Sequence, residues 1–137
     1  MKRRAFLRGL GLCGALSMPG LSLAADGGNG HVLVIGGGYG GATAARYIRL
    51  WSRGTIRVTL VEPNTSFVSC PISNLVLEGA LTIDDVTVSY DELRRRHGVQ
   101  VVRDYVDRID AEAGRGLLKS GASISYDRVV VSPGIDF

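Results

Sequence analysis

Three glycines and an acid set the first chemical question. Gly36, Gly38 and Gly41 fall in the run Gly36-Gly37-Gly38-Tyr39-Gly40-Gly41, directly after the apolar, β-branched stretch His31-Val32-Leu33-Val34-Ile35. Their spacing is G-x-G-x-x-G, placed between a strand-like segment and a helix-like one, the setting in which this string cradles a dinucleotide pyrophosphate. Gly36 permits the tight turn, Gly38 lets the backbone approach phosphate with no Cβ in the way, and Gly41 lets the helix lie close on the strand. Tyr39 and Gly40 complete the phosphate loop. The helix that follows offers unpaired N–H groups and a partial positive charge to the anion. Glu62 ends the next apolar segment. A carboxylate there accepts hydrogen bonds from the adenosine ribose hydroxyls and repels a 2′-phosphate, so NADP is disfavoured and NAD or FAD remains.

The second reactive group is a thiol. Cysteine occurs at positions 13 and 70, and Cys13 falls in an amino-terminal leader, which leaves Cys70 as the lone cysteine of the mature chain. In an oxidising compartment such a residue is an unpaired liability, has its partner elsewhere, or is already committed to a covalent bond. Ser69, Pro71 and Ser73 around it are loop residues, and Pro71 biases Cys70 towards extended backbone. The plainer alternative is a buried, inert thiol. His31 and His97 lack metal-ligand spacing and are expected at the surface or a strand edge, so no metal is expected.

The groups above need a scaffold, and the hydrophobic pattern supplies one. His31–Ile35 reads as a buried parallel strand. From Ala42 to about Ser52 a helix is predicted, with Ala42, Ala45, Ile48 and Trp51 on its apolar face and Arg46 and Arg49 between them. Gly54 ends it, and Ile56–Val61 forms the second strand of a β-α-β unit. A polar loop is predicted from Asn64 to Asn74, then short helices at Asn74–Glu78 and Tyr90–His97, the latter with Arg94, Arg95 and Arg96 on its wet side. Gln100–Asp110 and Leu117–Tyr126 read as strand pieces around a turn at Gly114 and Gly116, and Val129–Val131 as a last apolar strand. The fold class is therefore α/β: a Rossmann-like FAD/NAD(P)-binding fold with a parallel sheet, a flanking helix and an antiparallel β meander, in incomplete form.

Composition bounds the rest. At 137 residues the chain holds about one domain. With 45% hydrophobic and 21% charged residues it can bury a core, which excludes disorder. The net charge of +3 comes from Lys2, Arg3, Arg4 and Arg8; without them 12 bases face 13 acids, a net of −1, so no nucleic-acid partner is expected. Residues 1–24 read as an export signal: a charged start, an apolar run from about Gly9 to Leu23, and the exit Ser22-Leu23-Ala24. That run of ~15 residues falls short of the ~20 that span a bilayer, so no stable membrane span is expected. Lys2-Arg3-Arg4-Ala5-Phe6-Leu7-Arg8 resembles a twin-arginine signal. It implies a periplasmic protein that folds and loads its cofactor before export, with residues 25–137 forming part of an FAD-binding domain.

Two resemblances sharpen the cofactor. Tyr126-Asp127-Arg128-Val129-Val130-Val131-Ser132-Pro133-Gly134 resembles the second FAD motif of two-dinucleotide flavoprotein reductases, which favours FAD over NAD and adds Ser132, Pro133 and Gly134 to the cofactor-binding residues. Gly36 to Arg49, Val61-Glu62-Pro63-Asn64-Thr65, Cys70-Pro71-Ile72-Ser73-Asn74 and the exported start together resemble the flavoprotein subunit of flavocytochrome c sulfide dehydrogenase. Pro71 and Ile72 stand where some relatives carry Tyr and Leu. The resemblance implies that FAD is bound covalently through Cys70, at the flavin 8α-methyl, and that the Val106 strand lends backbone contacts to adenine. The bond is chemically apt, since oxidised flavin becomes electrophilic at that carbon on losing a proton and a thiolate is well suited to attack it.

The resemblance further implies sulfide as substrate and a c-type cytochrome subunit as partner, because no C-x-x-C-H occurs in this chain. Members of that family are several times longer, so the chain is expected to be an amino-terminal portion. It would lack the second dinucleotide domain and the redox cysteines, hold no catalytic residue of its own, and oxidise little sulfide alone. Alternatives are a sulfide:quinone reductase-like flavoprotein and a non-catalytic dinucleotide-binding remnant.

Overall fold

The structure, a computed structural model, describes residues 30–134, so the export signal assigned to residues 1–24 lies outside the described residues. The elements run β1 (His31–Ile35), α1 (Tyr39–Trp51), β2 (Arg57–Val61), β3 (Ser66–Val68), α2 (Ser73–Glu78), a 3-10 turn (Asp84–Val86), β4 (Thr87–Ser89), α3 (Asp91–His97), β5 (Gln100–Val102), β6 (Val106–Asp110), β7 (Arg115–Leu118), β8 (Ser123–Ser125) and β9 (Arg128–Val131). β5, β2, β1 and β9, in that order, form a parallel sheet in which Ile35 pairs with both Val61 and Val131. Strands β6, β7 and β8 form an antiparallel meander, and β3 pairs with β4 in a separate two-stranded ribbon.

The strand period of two divides the apolar residues between two cores. Val32, Val34, Val58 and Leu60 face the helical layer and pack with Ala45, Tyr90 and Val99. Leu33 and Val61 face the other way, onto Leu118 and Ile124 of the meander. The sheet is thus covered on both faces, as a parallel sheet requires, and each fully buried Leu or Val contributes about 1.5–3 kcal/mol. This three-layer α/β arrangement agrees with the fold class read from the sequence.

Several local expectations are corrected. α1 begins at Tyr39 rather than Ala42, because Gly38 is the extended N-cap and Tyr39-Gly40-Gly41 already form the first turn. Trp51 is not on the buried face: it is 77% exposed and leans on Tyr47, one turn back, with ring centroids 4.9 Å apart. The Asn64–Asn74 loop contains β3, whose partner β4 arrives only after α2, a long-range pairing that local pattern cannot show. Gln100–Asp110 is two strands, with β5 in the parallel sheet and β6 in the meander. Leu117–Tyr126 likewise holds the end of β7 and all of β8, joined by a turn in which Gly121 has φ +91°. Gly114 (φ +61°) belongs to the preceding turn, but Gly116 lies within β7, where a Cβ would come within 2.6 Å of Leu33 Cδ2. His31 is buried rather than at the surface, with Nε2 2.8 Å from Thr59 Oγ1. Arg94, Arg95 and Arg96 do face solvent, where Arg95 and Arg96 pair with Asp91 and Glu92 one turn earlier.

Candidate functional site

The bend between β1 and α1 is built by close approaches at three of its glycines. Gly36 has φ +91°, and a side chain there would run into the Ser132 carbonyl oxygen at the end of β9. A Cβ on Gly41 would run into the Gly36 carbonyl oxygen, and one on Gly40 would lie 2.8 Å from Ser132 Oγ. The Gly36 N–H donates to Val61 O at 2.9 Å and the Ser132 N–H to Ile35 O at 2.8 Å. Strands β2 and β9 therefore grip the bend from both sides.

Gly38 is different. Its backbone is extended (φ −67°, ψ −167°), and the nearest protein atom to a Cβ there is Phe67 Cε2 at 3.8 Å. Nothing among the described residues requires glycine at this position. α1 has no side-chain cap and no acidic residue in its first turn, and the Gly38 N–H has no protein acceptor among the described residues. An uncapped 13-residue helix with space beside its N-cap suits an anion, and the cradle fits the pyrophosphate of a dinucleotide.

Gly37, the variable position of the motif, is held on both sides of its backbone. Its N–H donates to Glu62 Oε2 at 2.7 Å, and its carbonyl accepts from the Tyr90 hydroxyl at 2.9 Å. Glu62, 8% exposed, also accepts at Oε1 from the Asn64 N–H (3.0 Å) and Asn64 Nδ2 (2.8 Å). An ionised carboxylate has about four acceptor positions, so three internal bonds leave one direction for a ribose hydroxyl. Burial, helped by the Glu62 charge, pushes Tyr90 up to about 12, which keeps its hydroxyl a donor throughout the physiological range.

The remaining sequence-predicted residues divide by location. Ser132 and Pro133 abut the bend, with Pro133 Cα 3.0 Å from a Cβ placed on Gly36, while a Cβ placed on Gly134 (φ +78°) would meet nothing within 4 Å among the described residues. Tyr39, half exposed, sets its ring edge-on to Phe67 at 4.7 Å, and its hydroxyl is hydrogen-bonded to that of Ser69. The contact brings the Cys70 loop to the side of the sheet that carries the bend. Cys70 is exposed, and its carbonyl accepts from the Ser73 N–H (3.0 Å) and Ser73 Oγ (2.7 Å) in a turn that enters α2. A cavity of about 310 Å³ lies between bend and loop, bordered by Gly38, Tyr39, Phe67, Ser69 and Tyr90. Val106 is apart from this group, at the start of β6 and packed against the Leu33–Leu118 cluster.

Sequence reasoning missed Tyr90, Asn64, Phe67 and Ser69. Tyr90 reads only as the start of a helix, and its 53-residue separation from Gly37 leaves no local signal. Asn64, two residues after an acid in a turn, is the sort of residue that bonds back to its neighbour and could have been found. The arrangement can bind and orient a dinucleotide; electron transfer would be supplied by the group it holds.

Comparison with known proteins agrees with this geometry. Residues 30–136 match the pyridine nucleotide-disulphide oxidoreductase family. A stretch of 49 residues is 55% identical to the sulfide dehydrogenase (flavocytochrome c) flavoprotein chain of Chlorobaculum thiosulfatiphilum, covering 36% of this chain and 100% of that sequence. Over 104 residues the chain is 28% identical to the sulfide-quinone reductase of Aquifex aeolicus, covering 76% of this chain and 24% of the relative. The X-ray structure of the sulfide:quinone oxidoreductase from Aquifex aeolicus superposes with a TM-score of 0.66 at 30% identity, over 76% of this chain and 24% of that one. The chain thus spans about a quarter of the length of the sulfide-quinone reductase it matches. On the family match across residues 30–136, the chain belongs to the pyridine nucleotide-disulphide oxidoreductase family.

Proposed function

We propose that the chain provides the dinucleotide-binding part of an exported, FAD-dependent oxidoreductase of the periplasm, which takes electrons from sulfide and passes them to a c-type cytochrome partner. The observation that carries this reading is the open, uncapped N-terminus of α1 at Gly38, beside the buried Glu62 carboxylate. The backbone amides at Gly38 and Tyr39 would hold the pyrophosphate, Glu62 the adenosine ribose, and the Ser132-Pro133-Gly134 turn would border the flavin side. Bound FAD supplies the two-electron acceptor that also releases electrons singly. Similarity to a sulfide dehydrogenase flavoprotein chain supports the substrate and the cytochrome partner.

Cys70 is the proposed point of attachment, on a loop tied through Ser69 to Tyr39. There Cys70 Sγ would hold the flavin through a thioether to its 8α-carbon, formed in place of one S–H and one C–H bond, with the two electrons taken up by the flavin and two protons passed to solvent. Two measurements on the full-length chain test the reading. FAD or ADP should raise its melting temperature, since ligand at about 100 times Kd adds about 2.7 kcal/mol of apparent stability. Flavin should stay with the polypeptide after acid precipitation and be lost in Cys70→Ser. Absence of any thermal shift would leave a non-catalytic remnant that binds no dinucleotide as the reading. Bound but acid-released flavin would favour a sulfide:quinone reductase-like protein, the reading supported by the alignment over 76% of this chain.

A further inference from the structure

Tyr90 lies at the junction of β4 and α3, 53 residues from the glycine motif, yet its hydroxyl is bonded to the carbonyl of Gly37. It is 6% exposed and is packed in the core with Val34, Ala45 and Val99, so its ring has little freedom. In a trans peptide the C=O and the following N–H point in opposite directions. Fixing the Gly37 carbonyl on Tyr90 therefore fixes the Gly38 N–H pointing away from Tyr90. That N–H has no protein acceptor among the described residues, and it borders the one position of the bend where a Cβ would meet no protein atom closer than 3.8 Å. Glu62 secures the other end of the same residue through the Gly37 N–H.

We infer that Tyr90 is a positioning residue for the dinucleotide site: through the Gly37 carbonyl it sets the peptide plane that aims the Gly38 N–H at the pyrophosphate. The same contact explains why the variable second position of the motif is glycine here. A Cβ at Gly37 would lie 2.5 Å from Tyr90 Oη and 2.9 Å from Glu62 Cγ. This inference deepens the proposed dinucleotide reading, and its consequence is selective: Tyr90 acts on phosphate recognition and not on the adenosine.

The test uses the full-length chain and its Tyr90→Phe variant, which keeps the packed ring and removes the hydroxyl. ADP and adenosine affinities are measured by calorimetry, and hydrogen exchange of the Gly37 and Gly38 amides is followed by NMR without ligand. ADP affinity should fall about tenfold, equivalent to ~1.4 kcal/mol, while adenosine affinity is unchanged. Exchange at Gly37 should accelerate, because the bend opens more often. Equal loss of ADP and adenosine, or Gly37 exchange identical to wild type, overturns the inference. If wild type binds no ADP, the dinucleotide reading itself fails, and the ligand-free exchange measurement alone then decides whether Tyr90 holds the bend.

Discussion

The Ser132 carbonyl oxygen occupies the space where a side chain on Gly36 would begin, whereas nothing among the described residues crowds Gly38. The two glycines of one motif therefore answer to different demands, the first to the fold and the second, on the proposed dinucleotide reading, to a ligand. Gly36→Ala combines a left-handed φ of +91° with a backbone collision and is expected to cost about 3 kcal/mol or more. Gly38→Ala should lower stability by less than about 1 kcal/mol, the scale of a changed N-cap, yet abolish the thermal shift with ADP. Urea denaturation with and without ADP separates the two, and equal destabilisation by both variants would contradict the assignment.

Glu62 ties Gly37 to Asn64 through three hydrogen bonds, so its neutralisation should be felt without any ligand. Glu62→Gln leaves the Gly37 N–H or an Asn64 donor facing an amide and is expected to cost about 2 kcal/mol, the scale of hydrogen bonds to a charged group. The Glu62 charge also helps raise Tyr90, so in this variant the Tyr90 phenol should titrate below its value of about 12. Tyrosinate absorbance during alkaline titration reads that shift directly. A phenol that titrates unchanged would show that burial alone sets it.

Much of the scaffold was legible because its strands are short apolar runs ended by glycine or acid, and because the glycine spacing sits between a strand and a helix. Gly36, Gly41, Glu62 and Ser132 do meet at one bend. The misreadings share a cause. β3 finds its partner across α2, Tyr90 finds Gly37 across 53 residues, and Gly116 is glycine because of Leu33 on another strand. Periodicity reports which face of an element is apolar, and none of these pairings changes that pattern. Trp51 failed for the opposite reason: it has the right spacing, but it leans on Tyr47 and stays exposed.

His31 links stability to pH. Burial first, and then the Arg57 charge, hold it below its usual 6.5, against the Ser125 backbone and the Asp127 carboxylate. The folded chain therefore resists a proton that the unfolded chain accepts. Stability should be full above pH ~6.5 and should decline as pH falls below it, by up to about 1.4 kcal/mol per pH unit until the folded-state value is reached. His31→Asn should flatten that part of the profile. A wild-type urea midpoint that does not change between about pH 7.5 and 5.5 would refute the linkage.

Arg49 joins three segments that otherwise end independently. Its Nε donates to His97 O at 2.8 Å, and its Nη1 to Gly54 O and Ile56 O at 2.7 Å each, so α1, the α1–β2 turn and the end of α3 share one guanidinium. An ammonium lacks that planar fork, and Arg49→Lys is expected to cost about 2 kcal/mol. Hydrogen exchange should show the loss first at Gly54 and Gly98, whose amides close the ends of those two helices.

β9 lies beside β1 although nearly a hundred residues separate them in the chain, and Ser132 completes the wall against Gly36. On the ribosome, the bend is consequently half built until residue 132 has emerged, however early the glycines themselves are translated. A nascent chain carrying residues 30–100 alone has one strand of that wall missing, and its cofactor cradle stays open to solvent. Loading of a dinucleotide at this bend would then wait for residue 132, not for the glycines.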